Sequence, residues 1–162
     1  MLTYMQNDVM IKIEVATEEQ EDGFEAMVRP ATDQQRHDLG RAAVGQAWMA
    51  WSPTGGELKT IKFMPPKAMK EDTQHELLKS YRFAIRVAEA HEVNTLALPL
   101  PERAGLERPE GALESELLRT LLAQCDALHH LRYLRLLASG EQEAVRYANR
   151  LVEERDWHVR SS

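Results

Sequence analysis

Apolar and polar positions alternate through Val9-Met-Ile-Lys-Ile-Glu-Val15, placing Val9, Ile11, Ile13 and Val15 on one face and Lys12 and Glu14 on the other. A period of two predicts a half-buried strand. Leu2 to Met5, with Gln6-Asn7-Asp8 as a turn, is expected to pair with it as an N-terminal hairpin. The acidic run Thr17 to Asp22 reads as a solvated loop, and Phe24 to Val28 as a further strand stopped by Pro30. Thr32 followed three residues later by Gln35 is a helix-start pattern, but Gly40 and Gly45 keep that helix short. Gln46 to Ser52 and Glu57 to Met64 predict two strands about the turn Pro53-Thr-Gly-Gly56, the second ended by Pro65-Pro66.

The pattern then changes period. Thr73-Gln-His-Glu76 looks like a capping box opening a helix whose Leu77, Tyr81, Ala84, Ile85 and Ala88 share one face. Thr95 to Leu100 is apolar at nearly every position, as expected of a strand covered on both faces. Between Gly111 and about Leu128 a helix carries Leu113, Leu117, Leu121 and Leu128 on one stripe. Leu131 to Ala138 predicts a last buried strand. Ser139-Gly-Glu-Gln142 caps the final helix, with Ala144, Val145, Ala148, Leu151 and Val152 facing inward.

Helices alternating with apolar strands in the second half predict a parallel sheet core with covering helices, and the first half adds mixed pairing. The expectation is a single α/β domain over residues 1–162, with hairpin strands within 1–16 and a last helix over about 141–156. In such open sheets ligands bind at loops following the carboxyl ends of strands. The proline-bounded loop Pro99 to Pro109 is therefore the most informative stretch.

Composition narrows the function classes. A chain of 162 residues with 43% hydrophobic and 28% charged content is an ordinary globular one. A formal charge of −6 argues against general nucleic-acid binding, although a small phosphorylated ligand held by backbone N–H groups stays compatible. No apolar run approaches the about 18 residues of a membrane span. The N-terminus lacks signal-peptide character, and the one cysteine, Cys125, fits a reducing, cytoplasmic setting.

Several stretches together resemble the macro domain family. Glu76 to Pro99 is similar to the family's Leu-Leu…Tyr…Ala helix and its Ser-Ile-Ala-Phe-Pro strand, here Asn94-Thr-Leu-Ala-Leu-Pro99. The loop Pro99 to Pro109 has the length of Pro-Ala-Ile-Ser-Thr-Gly-Val-Tyr-Gly-Phe-Pro, and Leu117-Leu-Arg-Thr-Leu121 resembles Ala-Leu-Arg-Thr-Val. Pro53-Thr-Gly resembles the family's turn of the same sequence, and Thr60-Ile-Lys-Phe-Met-Pro-Pro66 its Val-Ile-His-Thr-Val-Gly-Pro strand. Glu25-Ala-Met-Val-Arg-Pro-Ala-Thr32 stands where the family has Asp-Ala-Ile-Val-Asn-Ala-Ala-Asn. The resemblance implies a three-layer α/β/α sandwich with a mixed central sheet. It also implies a crevice for ADP-ribose, which some members remove from proteins.

The departures fall on the chemistry. Arg29 and Thr32 replace the two asparagines, and Asp33-Gln-Gln-Arg-His-Asp-Leu-Gly40 replaces a glycine-rich loop. The adenine-contacting aspartate aligns near Thr17 or Glu18. Glu102-Arg103-Ala104 stands in place of Ser-Thr-Gly, with Gly105 one position late. Glycine lets backbone amides approach a phosphate closely, and a glutamate repels one. The expectation is a non-catalytic binding module with a degenerate crevice for ADP-ribose or another nucleotide-like ligand. Its candidate contacts are Thr17, Glu18, Arg29, Thr32, Glu102, Arg103, Ala104 and Gly105, with no cofactor and no metal. The alternatives are a protein-interaction scaffold with a vestigial pocket and a divergent ADP-ribosyl or phosphoester hydrolase.

Other side chains carry competing readings. Arg103 and Arg108 are either phosphate forks or, more simply, partners of Glu102, Glu107 and Glu110 on a solvated loop. Cys125, His129 and His130 lack the further ligands of a zinc site. Cys125 shows no oriented base, and His37 reads as a surface histidine. Of Trp48 and Trp51, one is expected in the core and the other on a crevice or partner surface. The methionines at 5, 10, 27, 49, 64 and 69 are expected to fill core gaps.

Overall fold

The computed structural model describes residues 2–15, 25–50, 59–67 and 73–161. Strands β1 (Leu2–Gln6) and β2 (Val9–Glu14) form the expected antiparallel hairpin. Its turn residues Asn7 and Asp8 both have positive φ, 47° and 65°, the combination that matches hairpin twist and that Asn and Asp tolerate best among side-chain-bearing residues. Strand β3 (Ala26–Pro30) leads into helix α1 (Asp33–Leu39) and a single 3-10 turn at Arg41–Ala43. Strands β4 (Ala47–Ala50) and β5 (Lys59–Phe63) pair antiparallel, and their connecting turn lies outside the described residues. Then follow α2 (Gln74–Ala90), β6 (Thr95–Pro99), α3 (Gly111–Cys125), β7 (Tyr133–Leu137) and α4 (Glu141–Ser161).

The strands make one seven-stranded sheet in the order β1-β2-β7-β6-β3-β5-β4. Neighbours from β2 through β5 run parallel, and the two edge strands are antiparallel. The mixed sheet with covering helices matches the alternating pattern, and as an α/β sandwich it matches what the resemblance implied.

The register separates two faces. Ile11, Ile13, Leu134, Leu136, Leu96, Leu98, Val28, Ile61 and Phe63 point to one side and join Leu77, Tyr81, Leu117, Leu121 and Tyr147 from the helices in a continuous core. Tyr81 anchors it: its ring meets Phe63 edge-on at 5.0 Å, and its hydroxyl donates to the Pro99 carbonyl at 2.6 Å. Among the described residues, the opposite face buries a smaller group, Met27, Ala97 and Leu137.

Some local expectations fail, each for a physical reason. Thr73 precedes α2 with helical backbone angles and makes no side-chain cap bond, so the sequence box is not closed. Helix α4 continues to Ser161 rather than stopping near 156, because no glycine or proline interrupts it. Its buried side chains include Tyr147 and Leu151, whereas Val145 and Val152 are 56% and 47% exposed. Leu128 is buried but lies past the end of α3. Met27 and Met64 are buried as core fillers, while Met5 and Met10 sit on the exposed face of the hairpin. Met69 and Trp51 fall outside the described residues.

Candidate functional site

Because β2, β7, β6, β3 and β5 run parallel, their carboxyl ends form one edge of the sheet. That edge brings Arg29, near the end of β3, and Thr32, just after it, to the same end of the molecule as Glu102 to Gly105, after β6. Thr17 and Glu18 lie outside the described residues.

Thr32 is committed to the backbone. Its Oγ1 accepts from the Gln35 amide at 3.1 Å, and the Gln35 side chain accepts from the Thr32 amide at 2.8 Å. This is the reciprocal capping box read from the sequence. One turn on, Arg36 donates to the Pro65 carbonyl at 2.8 Å and fixes α1 to the end of β5. Asp33 pairs with Lys67, which lowers its carboxyl pKa.

The loop after β6 is braced from inside. The Glu102 amide donates to one carboxylate oxygen of Glu143 at 2.8 Å, and the Ser139 amide donates to the other at 2.7 Å. A single buried carboxylate thus bridges the loops that follow β6 and β7. Burial pushes the Glu143 carboxyl up, with partial opposition from the two amides and a further push from Glu102. The Glu102 carboxylate itself pairs with Arg146 of α4. Arg146 also reaches Glu114 at 3.2 Å, and Arg150 reaches the second oxygen of Glu114 at 3.2 Å.

Arg103 folds back over β7 and donates to the Ala138 carbonyl at 3.2 Å. Ala104 is 9% exposed and belongs to the main core. Gly105 has φ +80°, so glycine is favoured there for its conformation; an added Cβ would meet nothing within 4 Å. Arg108 lines a groove of about 490 Å³ beside α4, together with Glu141, Gln142, Val145 and Arg146.

The remaining candidates resolve as structural groups. Cys125 is buried, donates to the Leu121 carbonyl at 3.3 Å, and has its thiol pushed to about 12 by burial and by Asp126. That thiol is inert. The amides of His129, His130 and Leu131 all donate to the Glu89 carboxylate, and no metal-ligand group occurs among the described residues. His37 is exposed on α1.

Solved structures share this arrangement over nearly the whole chain. The Oceanobacillus iheyensis macrodomain with ADP superposes with a TM-score of 0.76, at 12% identity, covering 96% of this chain and 96% of that chain. The fold is that of a macrodomain. A mutant of that protein with ADPR gives 0.73 at 11% identity over 96% of this chain and 98% of that one. The Trypanosoma brucei macrodomain in complex with ADP gives 0.65 at 13% identity over 87% and 68%. No protein-family model matches the sequence, and no curated protein does.

Within the macrodomain fold, this chain has an edge built by side chains that the sequence pattern did not flag. Glu143 reads as one more helix-face residue, and its role depends on two loops distant in sequence. Lys62 stands beside Arg29 in register on β5, with Trp48 opposite it on β4. Strand alternation sets Lys62 on the face opposite Ile61 and Phe63. Only the strand order reveals its neighbours.

Proposed function

We propose that this chain is a non-catalytic binding module for ADP-ribose or another nucleotide-like ligand, held at the carboxyl edge of the sheet. The observation that carries this reading is the macrodomain fold, matched over 96% of the chain by a solved macrodomain with ADP. Candidate contacts are Arg29, Thr32 and Glu102 to Gly105, with Thr17 and Glu18 completing the set.

Lack of catalysis is supported by what occupies the two positions aligned with the family's asparagines. Arg29 carries a cation there, and Thr32 spends its hydroxyl as an acceptor in the α1 cap. Neither is placed as a general base. The altered loop after β6, where Glu143 takes the Glu102 amide, supports weaker binding than a glycine-rich cradle gives.

Calorimetric titration with ADP-ribose, ADP and AMP tests this. Saturable heat with at least one of them is expected, and no heat at millimolar ligand would sink the reading. Incubation with an ADP-ribosylated protein should release no ADP-ribose; release that is lost in Arg29→Ala would favour the hydrolase instead. A second reading, an interaction scaffold, is favoured by the Glu102–Arg146–Glu114 bracing of the edge. It predicts a discrete partner in a chain indifferent to nucleotides.

A further inference from the structure

Across β3, β5 and β4, directly paired positions place Arg29 beside Lys62 and Lys62 beside Trp48. Directly paired residues project to the same face of a sheet, so the three side chains form one row near the carboxyl edge. The neighbouring row on that face, Met27, Thr60 and Ala50, carries no charge.

Like charges opposite one another on a sheet are unfavourable. Lys62 is half-buried, and no hydrogen bond or ion pair reaches it from the described residues. Burial lowers its ammonium pKa, and the charge of Arg29 lowers it further. The carboxylates of α1 are engaged elsewhere: Asp33 pairs with Lys67, and Asp38 accepts from Gln34 at 2.9 Å. Arg36, held on the Pro65 carbonyl, adds a third cation to this end of the sheet.

Trp48 is half-buried on the edge strand, one strand spacing from Lys62. Strands lie about 4.8 Å apart, so Trp48 and Lys62 are immediate neighbours on this face. An indole accepts any base through its π-face, and a guanidinium beside an ammonium suits phosphate oxygens.

We propose that the Arg29–Lys62–Trp48 row is the anchoring subsite for a nucleoside 5′-phosphate, with the phosphate between the two cations and the base against Trp48. The proposal rests on the reading that the carboxyl edge takes a nucleotide-like ligand, and it names the part of that ligand which is held. Side-chain cations here do the work for which a glycine-rich loop uses backbone amides.

Calorimetry with AMP, inorganic pyrophosphate and ADP-ribose on the intact chain and on Lys62→Met, Lys62→Arg and Trp48→Leu tests it, with circular dichroism confirming that each variant is folded. AMP and pyrophosphate should bind the intact chain. Lys62→Met should weaken both by about tenfold or more, whereas Lys62→Arg should retain them. Trp48→Leu should weaken AMP and spare pyrophosphate. If ADP-ribose binds equally to the intact chain and to Lys62→Met, the subsite is refuted while the nucleotide-binding function stands. If AMP binds through this row and ADP-ribose does not bind at all, the subsite stands and ADP-ribose is excluded as the ligand. Silence from all three ligands overturns both.

Discussion

Glu143 shows how much one buried carboxylate can settle. It is 1% exposed, and its two oxygens take the amides of Glu102 and Ser139. A glutamine could accept only one of these bonds and would turn an NH2 group toward the other amide. Glu143→Gln should therefore cost about 1–3 kcal/mol, read as a lower denaturation midpoint. The pH profile carries a second signature. Because burial raises the folded-state pKa above the unfolded value near 4.5, the folded chain holds this proton more tightly. The associated stability is complete below that unfolded value and is lost as pH rises through the folded one. The variant lacks this component, so the wild type's advantage over Glu143→Gln should shrink with rising pH across that window. An advantage that stays flat there would mean that Glu143 does not titrate as its burial requires.

At the scale of elements, Glu89 of α2 closes the turn between α3 and β7. Burial works to raise its carboxyl pKa, but the amides of Leu131, His129 and His130 together outweigh it and leave the pKa below 4.5. The sign is opposite to that of Glu143: this stability is present above the unfolded value and is lost as pH falls through the folded one. Glu89→Gln should accelerate hydrogen exchange at the His130 and Leu131 amides at neutral pH. Acidifying the wild type should reproduce the effect, and protection unchanged in both cases would rule the clamp out. Elements of this kind mark where sequence reading ends. The period-two pattern of Val9–Glu14, the helical face of Leu77 to Ala88 and the Thr32–Gln35 box are local regularities, so each was legible. Glu89, Glu143 and Arg146 act across separations of about forty residues and leave no spacing signal. Thr73 failed for the complementary reason: its sequence fits a capping box, but its backbone angles, φ −103° and ψ −1°, are not those of a cap.

For the whole molecule, the sheet divides its labour between two faces. One carries the continuous core of Ile, Leu and Val side chains beneath α2, α3 and α4. On the other, the described residues bury Met27, Ala97 and Leu137 as a group, and the paired positions there also carry the polar side chains of Arg29, Thr60 and Lys62. Stability and binding are therefore expected to trade against each other on that second face, as they commonly do where like charges are held together for a ligand. The Arg29–Lys62 pair makes the trade measurable. Removing one charge by Lys62→Met relieves a cross-strand repulsion of about 0.2–1 kcal/mol. For a chain of this size, each 1 kcal/mol corresponds to about 2–4 °C in Tm. Lys62→Met should therefore melt slightly above the wild type in low salt, and the gain should fade as salt screens the repulsion. A lower Tm would instead assign Lys62 to the fold, through packing of its methylene stem against Trp48. A higher Tm in a variant that no longer binds phosphate would assign it to the ligand, since the intact chain then tolerates a destabilising charge that only an anion can use.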